Sequence, residues 1–266
     1  MTASPRFPLV AVDIGNSRIK FGLFETAPSL APGADLPVPA RTLELEPQLA
    51  RFDEIGEWLA PAAGPAATAW WIGSVQRSVT VTLVDWLLGN DVRRTTLLTA
   101  ADLPLVVRLP RPDMVGIDRL LAAVGANRLR TADKPAILVD LGTAITVDLI
   151  SPAGEFLGGA ILPGIGMSAR ALHEFTDLLP LLEMQALAEP PPALGTNTSD
   201  AMRSGIYWGA VGGVKQLIEL LSESVKGAPE ILLTGGAAPA VAGLLGPSAS
   251  YAPHLTLAGI ALAAAR

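Results

Sequence analysis

Leu9–Phe24, LVAVDIGNSRIKFGLF, and Ile137–Ile150, ILVDLGTAITVDLI, share one plan. Each opens with β-favouring apolar residues that end on an aspartate, Asp13 or Asp140. One apolar residue, a glycine, two small residues and a second apolar run follow. Such runs around an Asp-x-Gly turn read as a strand and a returning strand. Asp140 lies 127 positions after Asp13 in a chain of 266 residues, so the unit recurs at half-chain spacing. The repeat predicts duplicated α/β domains presenting two loops to one ligand.

Composition narrows the chemistry. Half the residues are apolar, 17% are charged, and the net charge is −6. That balance belongs to a folded chain and not to a nucleic-acid-binding surface. The chain has no cysteine, which excludes disulfides, thiolate zinc sites, iron–sulfur clusters and a cysteine nucleophile. His173 and His254 are the only histidines, too few for a multi-histidine metal centre, and neither sits in a nucleophile motif. The N-terminal MTASPRFPLVAVD reaches an aspartate before any long apolar core, unlike a signal peptide. FLGGAILPGIGM is too short and too rich in Gly and Pro to span a membrane. A soluble, cytoplasmic protein is expected.

Between the repeats, residues 26–40 read as a Pro-rich loop and 47–60 as an amphipathic helix with Leu49, Phe52, Ile55 and Leu59 on one face. A buried strand over 69–75, a helix over 81–90 and a short strand TTLLT follow. LPRPDM leads to a helix from about Val115 to Leu129. After the second hairpin, GEFLGGAILPGIG extends the sheet by a third strand, and 165–179 reads as a helix. A loop over 186–197 precedes a long helix, SDAMRSGIYWGAVGGVKQLIELLSES, capped by Thr198 or Ser199. Its interior glycines weaken helix propensity and suggest close packing. EILLTGGAA reads as strand, turn and helix, and LTLAGIALAAA closes the chain as a helix. The domains are expected at 1–118 and 119–266.

Asp13-Ile14-Gly15-Asn16-Ser17 and Asp140-Leu141-Gly142-Thr143-Ala144 carry the functional case. An aspartate at a strand end offers oxygen to a hard cation, and glycine lets backbone N–H groups approach an anion. One such motif could be only a turn, in which Asp and Asn are common for conformational reasons; two in matching strand contexts point to a ligand. Thr234-Gly235-Gly236-Ala237 would let a flat base or phosphate lie against the chain. In Gly116-Ile117-Asp118-Arg119, Asp118 either stabilises a first helical turn or serves as a base, with Arg119 as its anion-binding neighbour. His173 and the pair Trp70 and Trp71 read as structural.

Taken together, these residues resemble a known family. The two hairpins and the Thr-Gly-Gly turn look like the phosphate 1, phosphate 2 and adenosine motifs of the actin-like ATPase superfamily of sugar kinases, Hsp70 and actin. DIGNSRIKFGLF, VGIDR, DLGTAITVDLI, GGAILPG, LLP at 178–180 and NTSDAMRSG resemble the type III pantothenate kinases. The resemblance implies two duplicated actin-like (ribonuclease H-like) domains with a nucleotide cleft between them. It implies ATP-dependent phosphorylation of pantothenate to 4′-phosphopantothenate, the first step of coenzyme A synthesis. By the same resemblance Asp13, Ile14, Gly15, Asn16, Ser17, Arg18, Ile19 and Lys20 would hold ATP phosphates, with Asp13 near Mg²⁺. Thr143 would bind phosphate, and Asp140 would take a monovalent cation, potassium or ammonium. Gly116, Ile117, Asp118 and Arg119 would line the pantothenate site, Asp118 as proton acceptor, and Thr198 would contact pantothenate. A homodimer is implied, with neither a nucleic-acid nor a membrane partner. Ser17 keeps the hydroxyl of the commoner threonine, whereas Leu109 stands where the family often carries a substrate-contacting tyrosine. The rival readings are a kinase or phosphatase acting on another small molecule, and a non-catalytic nucleotide-binding regulator of transcription.

Overall fold

The computed structural model describes residues 6–48, 51–62, 64–183, 189–245 and 249–266. Residues 1–5, Leu49 of the helix expected over 47–60, and residues 186–188 of the expected loop lie outside the described residues. The chain forms two compact units, Met1–Leu129 with His254–Arg266, and Arg130–Pro253.

In the first unit, β1 (Leu9–Ile14) and β2 (Ile19–Phe24) form the first expected hairpin. Their antiparallel register sets Asp13 opposite Lys20, and the turn closes through Gly15 N–H donating to Arg18 O at 3.0 Å. β3 (Arg41–Leu45), α1 (Asp53–Leu59), β4 (Ala69–Ser74), α2 (Arg77–Gly89), β5 (Thr95–Leu97) and α3 (Ile117–Leu129) follow. The sheet order is β3-β2-β1-β4-β5, with β1, β4 and β5 parallel. On one face Val10, Val12, Ile14, Ile19, Phe21 and Leu23 pack with Ile55, Leu59, Leu83 and Leu87 of the two helices.

The other face is set by glycines. A Cβ at Gly73, the sheet neighbour of Asp13, would lie 2.5 Å from Leu121 Cδ1 of α3. The C-terminal helix α7 (Leu255–Ala264) is buried at every position, as expected for a helix apolar all round. It crosses α3 closely, because a Cβ at Gly259 would stand 2.0 Å from Leu121 O and one at Gly125 2.6 Å from Leu255 O. This packing explains why the compact units part after Leu129 and not at 118/119, within the first turn of α3.

The second unit contains β6 (Ala136–Leu141), β7 (Ala144–Ile150), β8 (Phe156–Pro163), α4 (Ile165–Glu174), α5 (Thr198–Glu223), β9 (Glu230–Thr234), α6 (Ala238–Val241) and β10 (Ala249–Tyr251). Its sheet order, β10-β9-β6-β7-β8, repeats the first strand for strand and in the same senses. The duplication read from two hairpins therefore extends to five strands in each unit. Ile137, Val139, Ile145, Val147 and Leu233 pack on Met202, Ile206, Tyr207 and Val211 of α5.

Several boundaries differ from expectation. α1 is shorter than 47–60, starting where Asp53 and Glu54 place negative charge at its N-terminus. α2 starts before 81. α4 stops at Glu174, and His173 Nδ1 then engages Leu179 O at 2.8 Å. The cap of α5 is Asn197, whose side-chain oxygen accepts from Asp200 N at 3.0 Å, and not Thr198 or Ser199. Within α5 only Gly213 packs closely, on Leu162; a Cβ at Gly205, Gly209 or Gly212 would meet nothing within 4 Å among the described residues.

Two outcomes follow for stability. Gly259→Ala forces α7 off α3, and denaturant unfolding is expected to show a loss of about 1–3 kcal/mol; an undiminished midpoint would refute the close crossing. Glu230 accepts hydrogen bonds from the Thr131 hydroxyl and N–H, and these hold its carboxyl below the ordinary glutamate range. A depressed folded pKa adds stability above the unfolded value that disappears as the pH falls through the folded one. Glu230→Gln should remove that acid-range dependence, as read by thermal unfolding across acidic pH.

Candidate active site

In the first unit the chain brings two sets of expected residues to one end of the sheet. Asp13 is half-buried at the carboxyl end of β1, and Asn16, Ser17 and Arg18 are exposed at the hairpin tip. Ile14 and Ile19 are fully buried in the apolar core, so they can offer a ligand only backbone groups. Lys20 is half-buried opposite Asp13. The Arg18 guanidinium is engaged by Glu46 at 2.6 Å, an exposed pair that contributes little to stability.

The second set opens α3. A Cβ at Gly116 would lie 2.5 Å from Asp118 Oδ1, so the carboxylate folds back over the glycine. There it accepts the Arg119 backbone N–H at 2.8 Å. Ile117 is buried, and its Cγ2 lies 3.8 Å from where a Cβ at Gly73 would be. The first turn of α3 therefore rests on the strand end beside Asp13. Leu109 is half-buried in the loop before this turn. Arg111 is occupied by both oxygens of Asp113, at 2.9 and 2.6 Å.

In the second unit, Asp140 is half-buried at the end of β6, and Gly142 and Thr143 are exposed in the two-residue turn. Gly164 donates its N–H to Thr143 O at 3.1 Å, and a Cβ there would stand 2.2 Å from that oxygen. This explains the closing glycine of GGAILPG: the turn is seated on it. In the same motif, Gly159 faces buried Asp148 across the β7–β8 ladder, with its missing Cβ 2.5 Å from Asp148 Oδ1. Sequence reasoning singled out neither Gly159, Gly164 nor Asp148 as a positioning group; the three glycines of GGAILPG were the available signal.

Thr198 is exposed at the start of α5 and lines a cavity of about 950 Å³ in the second unit. Leu162, Pro163, Leu172, Phe175 and Met202 give that cavity an apolar wall. Pro163 is the register partner of Ala144, so the cavity opens beside the Thr143 turn.

Two matching mixed sheets, each centred on an Asp–Gly hairpin, define the duplicated α/β fold of the actin-like ATPases and sugar kinases. A Baf transcriptional-activator family protein of Campylobacter jejuni superposes with a TM-score of 0.58 at 21% identity, covering 94% of each chain. The activator of 2-hydroxyisocaproyl-CoA dehydratase from Clostridium difficile, solved with bound ADPNP, gives 0.52 at 12% identity over 97% of this chain and 92% of its own. At such identities the likeness bears on the fold alone.

Sequence comparison is more specific. The type III pantothenate kinase family model matches residues 9–220. The type III pantothenate kinase of Gluconobacter oxydans is 35% identical, covering 97% of this chain and 93% of its own. That of Anaeromyxobacter sp. strain K is 34% identical, covering 95% and 96%. The chain belongs to the type III pantothenate kinase family.

Proposed function

We propose that this protein transfers the γ-phosphoryl group of ATP to the 4′-hydroxyl of pantothenate, forming 4′-phosphopantothenate for coenzyme A biosynthesis. Family membership supports the reaction and its acceptor. The observation that carries the chemistry is the Gly116–Arg119 turn, which holds a fixed carboxylate on the helix resting against the Asp13 strand end.

A primary alcohol is far too weak an acid for a carboxylate to ionise it. Asp118 therefore orients the hydroxyl and accepts its proton late, as the new O–P bond forms and the bond to the ADP oxygen breaks. The Arg119 backbone N–H fixes one carboxylate oxygen, leaving the other for the alcohol. The always-charged Arg119 guanidinium offsets negative charge at the acceptor. Gly116 and the Ile117 backbone shape the acceptor pocket, and Thr198 supplies a hydroxyl to pantothenate. Gly15, Asn16, Ser17, Arg18, Lys20 and Thr143 take the ATP phosphates, with Ile14 and Ile19 contributing backbone only.

Asp13 offers oxygen to Mg²⁺. Among the described residues no three His, Cys, Asp or Glu side chains gather to cage a metal. This fits an ion that keeps phosphate and water ligands and needs one or two carboxylates. Asp140 Oδ1 and the Leu141 carbonyl oxygen both lie against the Gly235 turn, hard oxygen donors suited to potassium or ammonium. Both ions would offset phosphate charge when bound. Among the described residues no helix is long and apolar enough to cross a membrane; a cytoplasmic reaction is part of this proposal, with ATP as the phosphoryl donor supporting it.

The active form is a homodimer joined through α4 and α5. Phe175 and Leu178 are 84% and 91% exposed beside the apolar cavity. Gly205 and Gly209 line the same cavity and face open space. Interior helix glycines cost about 1 kcal/mol each relative to alanine, and a second copy packed on this face supplies their reason.

ATP consumption with pantothenate, run in potassium and in sodium, tests the reaction; no turnover in either would sink it. Asp118→Asn should lower kcat at least 10²-fold with ATP affinity nearly intact. Gly116→Ala displaces only the tip of the Asp118 side chain, so it should fold normally and lose turnover about 10–100-fold. Unchanged turnover in Asp118→Asn removes the base assignment. For the dimer, sedimentation should give twice the chain mass, and Phe175→Asp with Leu178→Asp should give monomers. A parent chain that sediments as a monomer at micromolar concentration excludes it.

A further inference from the structure

The Asp140 carboxylate is confined from outside its own hairpin. β9 runs parallel to β6 with Thr234 opposite Asp140, and the chain then turns at Gly235 with a φ of +94°. A Cβ at position 235 would stand 2.5 Å from Asp140 Oδ1 and 2.6 Å from both the carbonyl carbon and oxygen of Leu141. The turn is fastened there. Ala237 N–H donates to Leu141 O at 3.1 Å, and Ala238 N–H donates to Gly235 O at 3.2 Å. On the other side, a Cβ at Gly142 would lie 3.5 Å from the same carboxylate oxygen, an ordinary contact distance. Gly142 therefore tolerates the carboxylate, whereas Gly235 makes room for it. The neighbouring Gly236 differs: an added Cβ meets nothing within 4 Å, and its backbone is not left-handed.

We infer that Gly235 is a positioning residue for the Asp140 carboxylate, and that the residue at position 235 sets the monovalent-cation concentration at which the enzyme turns over. This rests on the reading of Asp140 as the cation ligand. A potassium or ammonium ion held by a few oxygens gains little from each, so a carboxylate displaced by part of an ångström loses the ion before it loses the fold. Groups that orient a metal ligand without touching the metal commonly govern affinity by about 10–100-fold.

The test measures kcat with ATP and pantothenate against potassium and ammonium, with tetramethylammonium holding ionic strength constant. Gly235→Ala is expected to raise the half-activating concentration of both cations at least about tenfold. The thermal transition at saturating cation should stay cooperative, showing a folded variant, although its midpoint falls with the strain of a Cβ at a φ of +94°. Gly235→Asn carries the same Cβ but tolerates positive φ, so it keeps the test open where backbone strain alone unfolds the alanine variant. It should show the same shift. Gly236→Ala should keep the parent's half-activating concentration, whatever it does to nucleotide KM. A parental activation curve in either folded Gly235 variant overturns the inference, as does an equal shift in Gly236→Ala. Asp140→Asn separates the two readings. If it retains the parent's cation activation, the ligand assignment itself fails; if it alone loses activation, only the role of Gly235 fails.

Discussion

A carboxylate oxygen occupies the place of a missing Cβ at three points in this chain. Asp118 folds over Gly116, Asp140 rests on Gly235, and Asp148 faces Gly159, each with its oxygen 2.5 Å from where that Cβ would be. Glycine costs conformational entropy in the unfolded chain, and room for the carboxylate is the reason at Gly116; at Gly159 the Val147 carbonyl, and at Gly235 the Leu141 backbone and a φ of +94°, add to it. The arrangement restricts where each carboxylate oxygen can lie. A guanidinium could hold Asp118 equally still, but it would compete for the oxygen that an acceptor hydroxyl needs.

The same device operates on the backbone. Gly73, Gly125 and Gly259 bring α3 and α7 onto the Asp13 strand end, and Gly164 seats the Thr143 turn. Placement of the Gly116–Arg119 turn, the proposed acceptor site, thus depends on helix packing well behind it. A helix such as α7, buried at all ten positions, has no polar face and so is held by shape alone. This links stability to chemistry in the first unit: loosening the α3–α7 crossing should move Asp118 before it unfolds the chain.

What could be read from sequence follows from how local each signal is. The hairpins were legible because strand, turn and return lie within sixteen residues or fewer of continuous sequence. Gly116 and Asp118 are two positions apart, so their contact survives as a short motif. Gly235 and Asp140 come from different strands, and only β6–β9 pairing brings them together; no spacing within either segment announces the contact. β3 and β10 were not foreseen because edge strands such as RTLEL and ASY carry too few buried residues to show a period. The α5 glycines misled for the opposite reason. Close packing was the right physical expectation, but within this chain only Gly213 meets it.

The two hairpins share a topology and differ in confinement. Four residues, 15–18, separate β1 from β2, and the tip they form is exposed with two hydrogen-bonding side chains, Asn16 and Ser17. Only Gly142 and Thr143 separate β6 from β7, and that turn is held by Gly164 on one side and the Gly235 turn on the other. The strand-end neighbour of Asp13 is Gly73, whose open face is filled by Leu121 and not by the aspartate. Asp13 therefore lacks the glycine contact that Gly235 makes with Asp140. In the proposed reading, an exposed tip suits a loop that must follow a phosphoryl group through transfer. In the same proposed reading, a carboxylate that selects an ion by the size of an oxygen-lined site needs close confinement, because selectivity falls as the ligands are allowed to move. The two strand-end carboxylates thus share a place in the repeat but not a glycine setting: Gly235 faces the Asp140 oxygen, whereas Gly73 faces Leu121.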